Sequence, residues 1–155
     1  MVGYENLKDL KIVNRRQCDK LNKHLKEYNA EATWHQFYNS DRGYCELTFI
    51  NTGNFGINFV KSEINSIIIE DSKLGMEFIR DSYASSIHIR DSRVPEEFAT
   101  SSTFGEIYFG ADNKQAPGTI IDKLKLDNAD IYHLEERKNS KIRNFINESS
   151  YVPNE

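Results

Sequence analysis

Hydrophobic and polar positions in the central part of the chain repeat with a step of five residues. The main series contains only aliphatic and aromatic residues, namely Ile64, Ile69, Leu74, Ile79, Ala84, Ile89, Val94, Ala99, Phe104 and Phe109. Two residues before each lies a second series that mostly alternates a larger residue with serine, and Asp-Ser pairs recur at Asp71-Ser72, Asp81-Ser82 and Asp91-Ser92. Ten residues make a whole number of strand periods but not of helical turns, so the pattern predicts β-structure.

Residues twenty positions apart are more similar to one another than residues five positions apart. The aligned sets are Leu47, Ile67, Ile87 and Ile107; Phe49, Ile69, Ile89 and Phe109; and Ser62, Ser82 and Ser102. Stacked coils of this length would place such side chains ~4.8 Å apart, the spacing of neighbouring strands. One coil cannot bury its inward residues alone, but stacked coils share a core. We therefore predict a mainly β protein built as a right-handed parallel β-helix, or solenoid, of about four coils.

This spacing resembles that of the pentapeptide-repeat proteins, whose chain winds as a right-handed quadrilateral β-helix. In that family the central residue of each five is usually Leu or Phe, with a small residue two positions earlier. The likeness covers residues 46–134, although the Ala-Asp/Asn-Leu consensus is nearly absent and Ile or Val replaces several central leucines. A looser parallel β-helix with the same coil length stays open.

The chain divides into a body and two terminal caps within one domain. Residues 1–43 are predicted to form a helical and hairpin cap, with Asn14 as N-cap and Gln17 three residues later. Residues 44–134 form the β-helix, with a loop insertion at 111–118 that contains Pro117-Gly118 and no inward hydrophobic residue. Residues 135–155 are predicted to be a C-terminal cap. Its helix runs from Leu134 to Asn147, and a frayed tail follows it.

Composition and charge narrow the classes of function. The chain has 155 residues and a net charge of −4, with 20 basic and 24 acidic side chains, which argues against a dedicated nucleic-acid binder. The sequence contains no apolar run long enough to cross a bilayer and no basic-then-apolar leader at its N-terminus, so a cytoplasmic protein without membrane contact is expected. Cys18 and Cys45 are expected to be reduced packing thiols rather than a disulfide or metal ligands.

The search for chemistry yields weak candidates only. The four histidines show no metal-binding or catalytic spacing, and we predict no metal site and no cofactor. Glu77 and Glu97 interrupt the inward series one coil apart, so they are the only candidates for a catalytic carboxylate pair. Two unpaired buried charges are costly, and we expect the chain to bulge there and turn both outward.

Apolar residues at nominally outward positions are the best candidates for a binding site. Phe78 and Phe98 would stack in one column, and Ile68, His88 and Tyr108 in another on a different side. Such columns mark either a surface covered by the terminal helices or an interface with a partner.

These features predict a non-catalytic module that binds another protein, such as a neutralising or inhibitory partner of the immunity type. Capping at both ends favours a monomer over a homodimer. One alternative follows from the family resemblance, because the best-known pentapeptide-repeat proteins mimic DNA and bind gyrase; basic residues such as Arg90 interrupt the acidic rows here and weaken it. The other alternative is a carbohydrate-active β-helix enzyme that uses Glu77 and Glu97.

Overall fold

The chain forms a β-solenoid of about four turns with one α-helix near its N-terminus, as seen in a computed structural model that describes residues 5–54, 57–110 and 119–153. The secondary-structure elements, in chain order, are β1 (Glu5–Lys8), α1 (Arg15–Leu25), a short 3-10 helix (Lys26–Tyr28), β2 (Ala30–Gln36), β3 (Gly43–Asn54), β4 (Ile57–Val60), β5 (Glu63–Lys73), β6 (Ile79–Arg80), β7 (Tyr83–Arg90), β8 (Ala99–Thr100), β9 (Thr103–Phe109), β10 (Ile120–Ile121), β11 (Leu124–Asp127), β12 (Asp130–Ile131), β13 (Leu134–Glu136), β14 (Lys141–Ile142) and β15 (Phe145–Glu148). The predicted mainly β fold is thus confirmed.

Two sheets of mostly parallel strands form the main walls of the solenoid. A seven-stranded sheet has the order β12-β9-β7-β5-β3-β2, with β13 also paired to β9, and a six-stranded sheet has the order β1-β4-β6-β8-β11-β15. Residues twenty apart are partners, as in Ile67 with Ile87 and Ile87 with Ile107. The predicted step of twenty residues is therefore the length of one coil.

The core fills the interior of the solenoid. Nearly every member of the five-residue series is buried, and Val94 is half-buried. Six phenylalanines of this core have relative exposures of 0–1%, namely Phe49, Phe59, Phe78, Phe98, Phe104 and Phe109.

The N-terminal cap follows the sequence prediction closely, with one covalent exception. Asn14 accepts a hydrogen bond from the Gln17 N–H at 2.9 Å, while the Gln17 side chain accepts one from the Val13 N–H at 2.7 Å. These bonds satisfy backbone donors near the helix start. Strand β1 precedes the helix, and the hairpin after it is the antiparallel pair β2–β3.

Cys18 and Cys45 form a disulfide, which corrects the expectation of two reduced thiols. Cys18 lies on the buried face of α1 and Cys45 on β3, with their Cα atoms 5.7 Å apart. The pairing was invisible in the sequence because the helix folds back onto a strand that lies 27 residues later.

The predicted C-terminal helix is wrong. Residues 134–148 instead form β13, β14 and β15, which add another coil to the solenoid. Within this coil, β14 and β15 pair at a step of 21 residues, as in Ile121 with Ile142 and Leu124 with Phe145. One extra residue per coil shifts the pattern out of its five-residue phase, so the apolar positions imitate a helical stripe.

The predicted frayed tail is also wrong as far as residue 153. Ser150 accepts a hydrogen bond from the Ala129 N–H at 2.7 Å, and Val152 is buried at 7% relative exposure. The loop insertion predicted at 111–118 and the last two residues lie outside the described residues.

Candidate binding surface

The register of the seven-stranded sheet assembles one of the two predicted columns on its outer face. Ile68 of β5 pairs with His88 of β7, and His88 pairs with Tyr108 of β9. Their chain neighbours Ile67, Ile87 and Ile107 are fully buried, so alternation turns this column outward. We call Ile68, His88 and Tyr108 the outer column. Each of its members is half-buried.

Aromatic and cationic contacts hold one end of the outer column in place. The rings of His88 and Tyr108 stack with centroids 4.7 Å apart and planes 25° apart. His133 lies on the far side, its ring 5.5 Å from that of Tyr108, and the Arg137 guanidinium carbon lies 4.1 Å from the Tyr108 ring centroid. A cation over a tyrosine ring is a favourable contact that also fixes the arginine.

Two charge-assisted hydrogen bonds complete this arrangement. The Tyr108 hydroxyl donates to Glu106 Oε2 at 2.7 Å, and Arg137 Nε donates to Glu135 Oε2 at 2.7 Å. Short bonds to charged groups are among the stronger side-chain bonds. The surface around Tyr108 therefore combines ring faces with fixed charges of both signs.

A second aromatic group lies at the other end of the same sheet. His35 of β2 and Tyr44 of β3 stack with ring centroids 4.9 Å apart, and Phe37 lies 6.1 Å from Tyr44. Glu46 lies beside them, 3.4 Å from His35 Nε2, and accepts a hydrogen bond from Ser66 Oγ at 3.2 Å.

Both titratable members of the outer column favour their neutral forms. Burial lowers the pKa of His88, and the Arg137 and Arg90 cations lower it further. The hydrogen bond to Glu106 raises the pKa of Tyr108, and burial adds to the effect. Near neutral pH the column thus presents uncharged rings, and the charges lie around it.

Phe78 and Phe98 are not exposed, so the prediction that they form an outward column is wrong. Both have a relative exposure of 0% and pack against core rings, with Phe78 5.4 Å from Phe59 and Phe98 6.2 Å from Phe104. At Glu77 the backbone adopts a left-handed conformation, with φ at 52°, and the next side chain turns inward. These two phenylalanines offer no surface to a partner.

Glu77 and Glu97 lie one coil apart, as the sequence predicted, and neither is buried. The Glu77 N–H donates to the Glu97 carbonyl at 2.7 Å. Their carboxylates are engaged separately, because Glu77 lies 3.5 Å from Arg80 Nη1 and Glu97 lies 3.3 Å from Lys125 Nζ. The side chains are 44% and 27% exposed, respectively, which agrees with the expected outward turn.

The residues that the structure describes contain no group of three or more His, Cys, Asp or Glu side chains placed to hold a metal ion. Among the same residues, no helix is both long and apolar enough to cross a membrane.

Several residues of this surface could not be found from the repeat. His35 lies on β2, which runs antiparallel and therefore stands outside the step of twenty residues. His133, Glu135 and Arg137 lie on or beside β13, which pairs with β9 at a separation of 27 residues instead of twenty, as in Leu134 with Ile107. Glu106 is in phase with the repeat, as the partner of Ser86, but its hydrogen bond to Tyr108 depends on side-chain geometry.

Comparison with known proteins adds no relative. No protein-family model, curated protein or solved structure matches the chain.

Proposed function

We propose that the protein is a binding module for another protein and that the outer column is the centre of its contact surface. The observation that carries this proposal is the fixed stack of His88 and Tyr108, with Arg137 held over the tyrosine ring. Tyrosine and arginine are enriched among the residues that contribute most to protein–protein binding. Neutral rings with charges around them match an apolar interface core with a polar rim.

Rigidity supports the same proposal. The side chains around Tyr108 are already ordered by stacking and by hydrogen bonds to Glu106 and Glu135. Ordering a flexible side chain on binding costs roughly 0.5–1.5 kcal/mol, a cost that a pre-organised surface largely avoids. The parallel strands beneath the column provide a stiff support.

We infer more specifically that the module neutralises or inhibits its partner, in the manner of an immunity protein. The small size of the chain and its net charge of −4 support a stoichiometric ligand for a larger protein. Burial of the five-residue series supports a coil of the pentapeptide-repeat type, and the right-handed winding stays a prediction. A monomer stays the expectation, although its argument from a C-terminal capping helix is lost.

The cytoplasmic location expected from the sequence also stays a prediction, and the disulfide argues against it. Cytosolic thiol systems keep most cysteines reduced. Counting the free thiols of Cys18 and Cys45 in protein purified from the native host and then denatured tests the location. Two free thiols fit the cytosol, and none would indicate an oxidising compartment.

The proposed surface is tested by capture from the native host with two matched variants. Ser86→Arg places a long cation close to His88 along the strand, at the position that pairs with Glu106, whereas Tyr83→Arg places one at the exposed start of the same strand, farther from His88. We expect the wild type and Tyr83→Arg to retain one stoichiometric protein that Ser86→Arg loses. Equal capture by all three would contradict the proposed surface, and capture of gyrase subunits would favour the DNA-mimic alternative.

A further inference from the structure

A groove on the N-terminal cap separates α1 from the chain segment between β1 and the helix. Its volume is about 680 Å³, and its lining includes the apolar side chains of Leu10, Ile12 and Leu21. Leu21 is buried in the core, while Leu10 and Ile12 are only half-buried and leave apolar surface in the groove. The groove shares no residue with the outer column.

Both walls of the groove are anchored to the solenoid. The Leu10 N–H donates to Ser62 Oγ at 3.0 Å, and the Leu10 carbonyl accepts from the Glu63 N–H at 2.8 Å. On the other wall, the Cys18–Cys45 disulfide ties α1 to β3. The groove is therefore formed before any ligand arrives, which lowers the cost of binding.

The surroundings of the groove are strongly basic in an otherwise acidic protein. Residues 8–28 contain seven Lys or Arg and three Asp or Glu, whereas the whole chain carries a net charge of −4. Lys8, Lys20 and Lys23 line the groove and are exposed. Arg15, Arg16 and Asp19 line an adjoining cavity of about 490 Å³ together with Lys20 and Lys23, so the basic surface continues along the helix.

We propose that this groove binds an acidic peptide segment of a partner protein that carries apolar side chains among its carboxylates. The lysines attract the carboxylates, and the apolar surface of Leu10 and Ile12 receives the apolar side chains. Helical peptides commonly bind grooves through such anchors one turn apart. Complementary charge speeds the encounter and selects against wrong partners.

Apolar lining favours a peptide over other polyanions. A nucleic acid would engage the lysines through its phosphates but has no aliphatic side chain for the surface around Leu10 and Ile12. A bilayer binds amphipathic helices whose apolar face is exposed. Here the apolar residues of α1, namely Cys18, Leu21 and Leu25, are buried against the solenoid.

The proposal is tested by fluorescence anisotropy with the intact, disulfide-bonded protein. The probe is a labelled peptide of glutamates with two leucines one helical turn apart, and a second peptide replaces both leucines with serine. We expect the leucine peptide to bind more tightly, and its affinity to fall as salt is added, because screening weakens attraction between exposed charges. Equal affinity of the two peptides, or no dependence on salt, would overturn the proposal.

Matched charge reversals locate the site. Lys20→Glu/Lys23→Glu alters the groove, whereas Lys73→Glu/Lys141→Glu makes the same change of charge at exposed positions on the solenoid. The groove variant should bind the leucine peptide about tenfold more weakly than the solenoid variant does. Circular dichroism confirms that both variants are folded. Equal weakening by both variants, or tighter binding of single-stranded DNA or phosphatidylserine vesicles than of the peptide, would contradict an acidic-peptide site.

Discussion

Individual side chains stabilise the corners of each coil, and the serines do so with the same hydrogen bonds in successive coils. Ser82 donates from its hydroxyl to the Arg80 carbonyl at 2.8 Å and accepts from the Ser62 N–H at 3.0 Å, and Ser102 repeats this one coil later. The residue before each serine has a left-handed backbone, with φ at 51° for both Lys61 and Asp81. Asp tolerates this conformation better than most residues do. The repeated Asp-Ser pair in the sequence is therefore the signature of a corner.

Loss of one corner serine should destabilise the protein. Ser82→Ala leaves the buried Ser62 N–H without its acceptor, which costs about 1–3 kcal/mol. Ser86→Ala, which alters a half-buried serine of β7 on the outer face, should change stability by less than about 0.5 kcal/mol. Urea unfolding of both variants measures the difference. Equal midpoints would contradict a structural role for the serine columns.

Two glycines make a similar comparison at the residue scale. A Cβ atom added at Gly105 would lie 2.5 Å from the Ser85 carbonyl oxygen, whereas one added at Gly75 would come no closer than 3.9 Å to a neighbour. Gly105→Ala should therefore cost about 1–3 kcal/mol and Gly75→Ala little. Thermal unfolding of the two variants tests this. A larger loss of stability for Gly75→Ala than for Gly105→Ala would show that β7 and β9 are spaced differently at Gly105.

His88 gives the protein a specific dependence on pH. Its pKa is lower in the folded state than the unfolded value of about 6.5, because burial and nearby arginines disfavour the cation. The unfolded chain then binds more protons, so stability falls as pH drops from about 6.5 toward the folded pKa. His88→Gln should flatten this part of the curve of unfolding free energy against pH. An unchanged slope would mean that His88 is freely solvated.

Elements that repeat could be predicted from the sequence, and elements that break the repeat could not. Strands β5, β7 and β9 lie one coil of twenty residues apart, so their inward residues and the outer column were readable in advance. In the last coil, β14 and β15 pair at a separation of 21 residues, and the shifted apolar positions there wrongly predict a helix. At Phe78 the left-handed Glu77 reversed the expected side. Long-range contacts such as Cys18–Cys45 and Arg137–Tyr108 leave no trace in local patterns.

The disulfide should contribute to stability through the element that it holds. It closes a loop with a sequence separation of 27 residues, for which chain entropy predicts a contribution of about 3–4 kcal/mol. Reductant should lower the urea midpoint of the wild type and leave that of Cys18→Ser/Cys45→Ser unchanged. A wild type that is insensitive to reductant while its thiols become free would contradict this account of how α1 is anchored.

At the scale of the whole molecule, the protein has two surfaces of different character. The outer face of the seven-stranded sheet presents neutral rings with charges of both signs around them, and the N-terminal cap presents a basic groove with apolar lining. The first belongs to the repeat and the second to the cap.

Site-specific photo-crosslinking in the native host tests the central claim most directly. A photoreactive amino acid at position 86 lies on the outer face close to His88, and one at position 83 lies at the exposed start of the same strand, farther from the outer column. The account predicts that one protein of the host crosslinks from position 86 and not from position 83. A partner that crosslinks from position 83 alone would contradict the outer face as the binding surface.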